Sequence, residues 1–371
     1  AEARFISYDS LEDQVSAAGA REGLSNLDLE ARSIIQTAQQ TLSNASDATR
    51  EFVSSVFARG QPCNTKNGMV GVCVFKKQCN SAVSGIHDEG TCGTAGYVCC
   101  VSLISCGHRT SSGLSYFINP EYPKGSKASR MCEAIIMKTH QEICQFRVTF
   151  ETFELAGPTK GECLNDAFSV SGHNRNFEIP HICGQNTNQH IIVPVDQASC
   201  GTRFTFITTG SYQARRWRLK ITQIKCGHDF QAPNGCLKYY LTPSGTMKSF
   251  NFDSDNKHEG YFNNLNYAMC IKRANNFCGI TLSSFDFHVS NLYPNCSSDN
   301  CRNTDFIQVP PSKKVTPARL CGEKFNPVAG MHSNAPLRLE MTTPFVFYFK
   351  STGEGPKPKG FAIDYQQNLC R

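Results

Sequence analysis

The side chains with the most capacity for chemistry in this sequence are its 20 cysteines. Thiols in such numbers persist as disulfides where the surroundings are oxidising, outside the reducing cytosol. Zinc binding is the competing chemistry, but no Cys-x-x-Cys pair occurs, and the adjacent Cys99 and Cys100 suit two separate bridges better than one metal ion. The cysteines therefore predict a secreted, extracellular protein held by disulfide bonds.

Groups for enzyme catalysis are not assembled in a recognisable pattern. A serine protease needs a nucleophilic serine that a histidine and an aspartate activate, yet neither Gly-Asp-Ser-Gly nor Gly-x-Ser-x-Gly occurs. The 10 histidines are scattered, and the sequence contains no His-x-x-x-His pair on a plausible helix and no glycine-rich phosphate loop. We therefore expect no enzyme activity and no cofactor.

Composition narrows the class of protein further. Hydrophobic residues make up 40% and charged residues 18% of the chain, which is typical of globular domains. The net charge of +6 favours acidic partners weakly and gives no reason to expect nucleic acid. No apolar run is long enough to span a membrane, and no signal sequence opens the chain. We therefore expect a mature secreted form from which a signal was removed.

Residues 1–62 lack cysteine and have the composition of a helical segment. Between residues 27 and 57 there is no Pro or Gly, and Gly60 ends the pattern. Small and apolar residues recur at helical spacing as Ile35, Ala38, Leu42, Ala45, Phe52 and Val56. This stripe fits a helix that packs on its own domains, and it also fits a helix that binds a partner or a second copy.

Residues 63–105 contain a block of six cysteines, which are Cys63, Cys73, Cys79, Cys92, Cys99 and Cys100. Polar and glycine residues fill the gaps, so little apolar core is available and the bridges must hold the segment. The residues alone leave fifteen ways to pair six cysteines.

The remaining chain divides into residues 106–226 and 227–371, each with 7 cysteines in a similar order. Both units contain runs in which apolar and polar residues alternate between Gly, Pro and Asn turns, a pattern that predicts β-sandwiches. The clearest runs are 144–150, 204–207, 217–224, 280–287, 337–341, 345–349 and 361–365. The two units are therefore an internal repeat.

The two units resemble CUB domains. The first has a Pro-x-Tyr-Pro turn at residues 120–123, followed by Cys-Leu-Asn-Asp at 163–166 and Cys-Gly at 183–184. The second repeats the later part, with Cys301 and Asp305 before a Cys-Gly pair. The six-cysteine block resembles a clip-like domain through its Gly-x-Val-Cys-Cys ending. A clip-like block followed by two CUB domains is similar to arthropod secreted proteins.

The resemblance implies a mostly β chain with two jelly-roll-like sandwiches, a small disulfide-stapled module and the N-terminal helical segment. It also implies the disulfides Cys63–Cys99, Cys73–Cys92, Cys79–Cys100, Cys106–Cys132, Cys163–Cys183, Cys236–Cys270 and Cys301–Cys321. Each CUB-like unit is left with an odd number of cysteines, which are Cys144, Cys200, Cys226, Cys278, Cys296 and Cys370. We therefore expect either a bridge between the units, with Cys226 or Cys370 as a candidate, or a free thiol in each.

Calcium is the metal that the resemblance raises, because many CUB domains hold it with three acidic residues. Asp166 matches the middle position and Asp305 is displaced from it by one residue. The other two positions lack an acidic residue in register, although Glu154 lies close to one. A single carboxylate binds a hard cation poorly. We therefore predict no calcium-dependent site in either unit.

A candidate binding surface combines aromatic and basic residues, which are enriched at interfaces. It consists of Tyr212, Arg215, Arg216 and Arg218. Strand alternation explains the same residues without a partner. Asn44 and Asn295 stand in Asn-x-Ser sequons and are candidate glycosylation sites of a glycoprotein.

Three functional hypotheses follow. The first is a secreted, non-catalytic scaffold that presents CUB loops to an extracellular protein or glycan, for example in innate immunity. The second is a regulator or cofactor of an extracellular protease cascade, with Arg59 as a candidate cleavage site. The third is a structural protein that self-assembles through residues 27–57.

Overall fold

A computed structural model describes residues 61–66, 68–79, 86–88, 92, 96–196, 201–210, 214–252, 259–290, 297–298, 301, 303–310, 319–340, 345–353 and 357–370. These residues fall into two compact units, one within 1–78 and 88–99 and the other within 79–87 and 100–371. The helix predicted over residues 27–57 lies outside the described residues, and so do Asn44, Arg59, Tyr212 and Asn295. None of the helical structure described is long and apolar enough to cross a bilayer.

The cysteine block forms a small sheet with strand order β1-β2-β4-β3. Its elements are β1 (Pro62–Asn64), β2 (Val70–Phe75), a 3-10 turn (Lys76–Gln78), β3 (Ile86–Asp88) and β4 (Tyr97–Val101). The disulfides here are Cys63–Cys99, Cys73–Cys92 and Cys79–Cys100. The buried cluster consists of four cysteines with Tyr97 packed against them. Disulfide bonds thus take the place that a hydrophobic core has in a larger domain.

Residues 103–225 form a first sandwich of two facing sheets, with strand orders β10-β12-β8-β6 and β11-β9-β13-β7-β5. Its strands are β5 (Leu103–Ile104), β6 (Arg109–Thr110), β7 (Leu114–Ile118), β8 (Arg130–Ile136), β9 (Ile143–Glu154), β10 (Asp166–Ser171), β11 (His190–Pro194), β12 (Thr202–Thr208) and β13 (Arg216–Lys225). Aromatic rings join the sheets: Phe206 of β12 stacks on Trp217 of β13 with ring centroids 4.1 Å apart.

Residues 236–369 form a second sandwich with sheets β14-β16-β22-β19-β20-β18 and β15-β23-β17-β21. Its strands are β14 (Cys236–Tyr240), β15 (Ser244–Lys248), β16 (Asn266–Ile271), β17 (Phe277–His288), β18 (Ser297–Ser298), β19 (Phe306–Gln308), β20 (Arg319–Gly322), β21 (Leu337–Glu340), β22 (Phe345–Lys350) and β23 (Gly360–Leu369). The rings of Phe349 and Phe361 meet between the sheets at 5.2 Å.

The mostly β prediction is confirmed. Each predicted alternating run falls largely within one strand, because alternate side chains of a strand point to opposite faces and only one face meets the core. In β13, for example, Trp217, Leu219 and Ile221 are buried, while the residues between them are partly exposed.

The expected cross-bridge through Cys226 or Cys370 is wrong. Cys226 pairs with Cys144 and Cys370 with Cys278, so each bond closes its own sandwich. The reason is strand order, because the closing strand of each sandwich lies beside its longest strand in the sheet. The other sandwich disulfides join the pairs that the resemblance implies, which are Cys106–Cys132, Cys163–Cys183, Cys236–Cys270 and Cys301–Cys321. Cys200 and Cys296 lie outside the described residues.

Candidate functional site

A fully buried ion pair lies in the first sandwich between Asp166, at the start of β10, and Arg215, just before β13. Arg215 Nε lies 2.9 Å from Asp166 Oδ2 and Nη2 lies 3.0 Å from Oδ1, a two-pronged contact. Both side chains are at most 1% exposed. The carboxylate also accepts hydrogen bonds from the backbone N–H groups of Ala156 and Thr209.

The remaining guanidinium N–H groups of Arg215 hold the surrounding loops. They donate to the carbonyl oxygens of Lys127, Thr209 and Gly210 at 3.2, 2.5 and 3.1 Å. Arg215 is thus an interior residue with its hydrogen-bonding capacity used within the domain. The prediction that Arg215 belongs to a binding surface is therefore wrong.

The second sandwich has a buried pair at the corresponding place. Lys357, shortly before β23, has its Nζ 3.1 Å from Oδ2 of Asp305, which precedes β19. The Tyr261 hydroxyl donates to the same oxygen at 2.7 Å, and Thr352 donates to Oδ1 through its N–H and its hydroxyl. Burial and the Asp305 carboxylate raise the pKa of Tyr261 well above its ordinary value, so its hydroxyl stays a donor.

These two pairs bear on calcium, because the resemblance places Asp166 at the middle ligand position and Asp305 one residue from it. A calcium ion takes six to eight oxygen ligands, several of them carboxylates. Here each carboxylate is bonded to a cation from the chain itself, Arg215 in one sandwich and Lys357 in the other. The residues present therefore do not fit a calcium ion.

Arg216 and Arg218, also predicted for the binding surface, lie on the outer side of β13. Arg216 pairs with Glu154 at 2.6 Å, and Arg218 pairs with Glu151 at 2.7 Å. Hydrogen bonding to Glu154 and its negative charge raise the pKa of Arg216. Since each arginine is matched by a glutamate on the neighbouring strand, this part of the surface carries little net charge.

The sandwiches meet where edge strand β11 of the first lies against edge strand β14 of the second. Ile192 of β11 is 1% exposed and belongs to a buried cluster with Tyr239 and Ala268 of the second sandwich. Gln145 exchanges two 2.8 Å hydrogen bonds with the backbone of Ala232 in the connecting segment. We call this contact region the junction.

The backbone of Tyr239 shows how the junction protects the edge of a sheet. An edge strand normally leaves a row of N–H and C=O groups without partners. Here the Tyr239 N–H donates to His190 Nε2 at 2.9 Å, and its carbonyl accepts from Arg147 Nη1 at 2.9 Å. Side chains of the first sandwich therefore complete the hydrogen bonding of the second.

A second group of contacts at the junction involves Asn251 of the second sandwich. Its backbone φ of 53° lies in the left-handed region. Its side-chain oxygen accepts from the Gln185 N–H at 2.9 Å, and its own N–H donates to Asn186 Oδ1 at 2.8 Å. A Cβ on Gly184 would lie 1.9 Å from Asn251 Oδ1. Glycine is therefore required at residue 184 for the two sandwiches to approach this closely.

Lys238 places a buried amine at the junction. Its Nζ donates to Gln189 Oε1 at 2.5 Å and to the Lys248 carbonyl at 2.7 Å, and it lies 3.8 Å from the centroid of the Phe250 ring. In the part of the chain that the structure describes, no carboxylate forms an ion pair with it. Burial lowers the pKa of Lys238 well below its ordinary value.

The junction should weaken in acid because of His190. Its Nε2 must be unprotonated to accept the hydrogen bond from the Tyr239 N–H. Burial and the charges of Arg147 and Lys238 lower the pKa of His190 well below 6.5. The neighbouring Tyr240 contacts His190 through its ring, with centroids 5.1 Å apart. A histidine with a depressed folded pKa binds more protons when unfolded. We expect the free energy of unfolding to fall below about pH 6.5, by up to about 1.4 kcal/mol per pH unit.

Urea denaturation at pH 7.5 and pH 5.0 measures this effect. His190→Gln keeps an acceptor for the Tyr239 N–H but cannot titrate, so its loss of stability between the two pH values should be smaller than that of the unmodified chain. An equal loss in both proteins would show that His190 does not couple the junction to pH.

Comparisons with known protein families identify the two sandwiches as two copies of one domain type. Residues 106–221 match the family model for the CUB domain, and residues 233–368 match the model for the animal CUB domain. A search of curated proteins found no significant match.

Several solved structures share a distant likeness. The CUB1-EGF-CUB2 domains of rat MASP-1 are 14% identical and cover 71% of this chain and 99% of that one, with a TM-score of 0.26. The same domains of human MASP-1/3 are 14% identical over 69% and 100% of the two chains, with a TM-score of 0.27. The full extracellular region of zebrafish Gpr126/Adgrg6 is 12% identical over 72% and 37%, with a TM-score of 0.28.

Proposed function

We propose that this chain, which carries two CUB domains in tandem, is a secreted, non-catalytic binding protein that presents both domains as one rigid body to an extracellular partner. CUB domains are typically extracellular protein-interaction modules. The disulfides that close both domains and the small module support an oxidising compartment.

The junction is the observation that carries this proposal. It buries Ile192 and Lys238, and it pairs the backbone of Tyr239 with side chains of the other domain. Two domains held in this way present their loops in one fixed arrangement. Such preorganisation reduces the entropy lost when a partner binds.

The buried ion pairs support a structural role for the acidic groups. Asp166 and Asp305 are the acidic residues that the resemblance associates with calcium, and both are enclosed by groups of their own domain. The protein would therefore bind its partner without calcium. Residues 63–105, with three disulfides in a small sheet, would form the clip-like module of an arthropod glycoprotein.

Affinity capture from extracellular fluid of the source tests the proposal. The full chain serves as bait in parallel samples with calcium and with EDTA. We expect the same partner to be retained in both, and retention to fall when Ile192→Asp disrupts the junction. Retention only with calcium, or equal retention by the junction variant, would contradict the proposed mode of binding.

A further inference from the structure

One face of the second CUB domain combines exposed cations with an exposed aromatic ring. Tyr348 and Lys350 of β22 are exposed, Tyr348 to 47%, and Arg319 of β20 is exposed beside them. Strand register places these residues in two adjacent rows. One row is Ala268, Tyr348, Gln308 and Arg319, and the other is Asn266, Lys350 and Phe306. We call the exposed part of these rows the basic face.

The charge of the basic face is uncompensated within its rows. Neither row contains an Asp or Glu. Among the described residues, no carboxylate forms an ion pair with Arg319 or Lys350. Both cations are therefore available to an acidic ligand, in contrast to Arg216 and Arg218 of the first domain, which face glutamates.

The Arg319 side chain of the basic face is restrained before a ligand binds. The Arg319 guanidinium lies 4.3 Å from the centroid of the Phe306 ring, a cation–π contact that restricts the side chain. Tyr348 and Lys350 are two residues apart on one strand, so their Cα atoms are about 7 Å apart. Arg319 lies two strands from Tyr348, which separates their Cα atoms by about 10 Å. Little side-chain entropy would be lost at Arg319 on binding.

The internal repeat provides a comparison within the same chain. Strands β8, β12 and β10 of the first domain correspond to β16, β22 and β19 of the second, because they hold the same places in their sheets. There the corresponding rows carry Met131 opposite Ile207 and Glu133 opposite Thr205, and Arg203 of the next row lies 3.9 Å from Glu133. The fold therefore does not require exposed, unpaired cations on this face.

We infer that the basic face of the second CUB domain binds a sulfated polysaccharide. Arg319 and Lys350 would pair with sulfate groups, Tyr348 would stack on a sugar ring, and Gln308 and Asn266 would hydrogen bond to hydroxyl groups. An extended acidic peptide is less favoured, because β22 already pairs on both sides and offers no free backbone edge for strand addition. This inference rests on the proposed extracellular binding role and assigns it a ligand class.

Binding of the full chain to immobilised heparin at physiological salt tests the inference. We expect the double variant Arg319→Ala/Lys350→Ala to bind at least tenfold more weakly, and Tyr348→Ala severalfold more weakly. Arg203→Ala, which removes the cation already matched by Glu133, is the control and should change affinity less than twofold. Thermal unfolding of each variant shows whether the second domain remains folded.

The outcomes separate this inference from the proposed function. No binding of the unmodified chain to heparin, or binding that the double variant retains, would overturn the assignment of the basic face. A second contrary result is that the chain binds poly-glutamate as tightly as heparin and loses that binding with the same substitutions. This result would indicate an acidic protein partner and would also overturn the assignment to a polysaccharide. Capture of an extracellular partner that is insensitive to these substitutions would leave the broader proposal intact.

Discussion

Replacing Arg215 by methionine is expected to destabilise the first CUB domain by about 3–5 kcal/mol, because the Asp166 carboxylate would remain buried without its partner. Both side chains are almost completely inaccessible, so water cannot replace the lost contacts. Trp217 is the only tryptophan of the chain and stacks on Phe206 in the same domain. Its fluorescence during urea denaturation therefore reports the unfolding of this domain.

The neighbouring Arg216→Met is the matched control. Arg216 pairs with Glu154 near solvent, its side chain being 42% exposed, so its loss should cost at most about 1 kcal/mol. The double variant Asp166→Asn/Arg215→Met removes the buried charge altogether and should recover part of the stability. If Arg215→Met unfolded at the same urea concentration as Arg216→Met, the buried pair would not stabilise the domain.

Ile192→Asp is expected to separate the two CUB domains while each stays folded. The residue is 1% exposed in the junction cluster. A carboxylate there would be desolvated opposite Arg147 and would compete for its guanidinium with the Tyr239 carbonyl. The cost of burying such a charge exceeds the gain from the remaining apolar contacts. Small-angle X-ray scattering should show a larger radius of gyration, because the domains no longer hold one orientation.

The control for this experiment is Ile207→Asp. Ile207 lies on β12 of the same domain but is 44% exposed, so the same chemical change there should leave the domains together. Both variants contain the whole chain, so residues outside the sandwiches contribute equally to the two scattering curves. Equal radii for the two variants would mean that the junction does not hold the domains.

The sandwiches could be predicted from sequence because their signals are local. In β13 the alternation of Trp217, Arg218, Leu219 and Lys220 follows directly from one buried face. The same reasoning failed for Arg215, because this residue precedes the strand and its side chain points inward to Asp166, 49 positions away in the sequence. No local pattern distinguishes a buried arginine with a distant partner from an exposed one.

The junction was not predictable for a related reason. His190 and Lys238 are polar residues whose burial depends on how two separate domains pack, and periodicity within one domain carries no information on that packing. The odd number of cysteines left in each unit indicated either a bridge between the units or a free thiol in each, but the candidates Cys226 and Cys370 are bonded within their own domains. Pairing is set by the distance between Cα atoms, here 5.1 and 4.7 Å.

The amide hydrogen exchange of Tyr239 tests the rigid tandem most directly. This N–H lies on an edge strand and donates to His190 of the other domain, so only the junction protects it. We expect slow exchange in the unmodified chain at pH 7.5, and exchange at least about 100-fold faster in Ile192→Asp, the factor that about 2.7 kcal/mol produces. Exchange in the unmodified chain as fast as that of an open strand edge would contradict a rigid two-domain body.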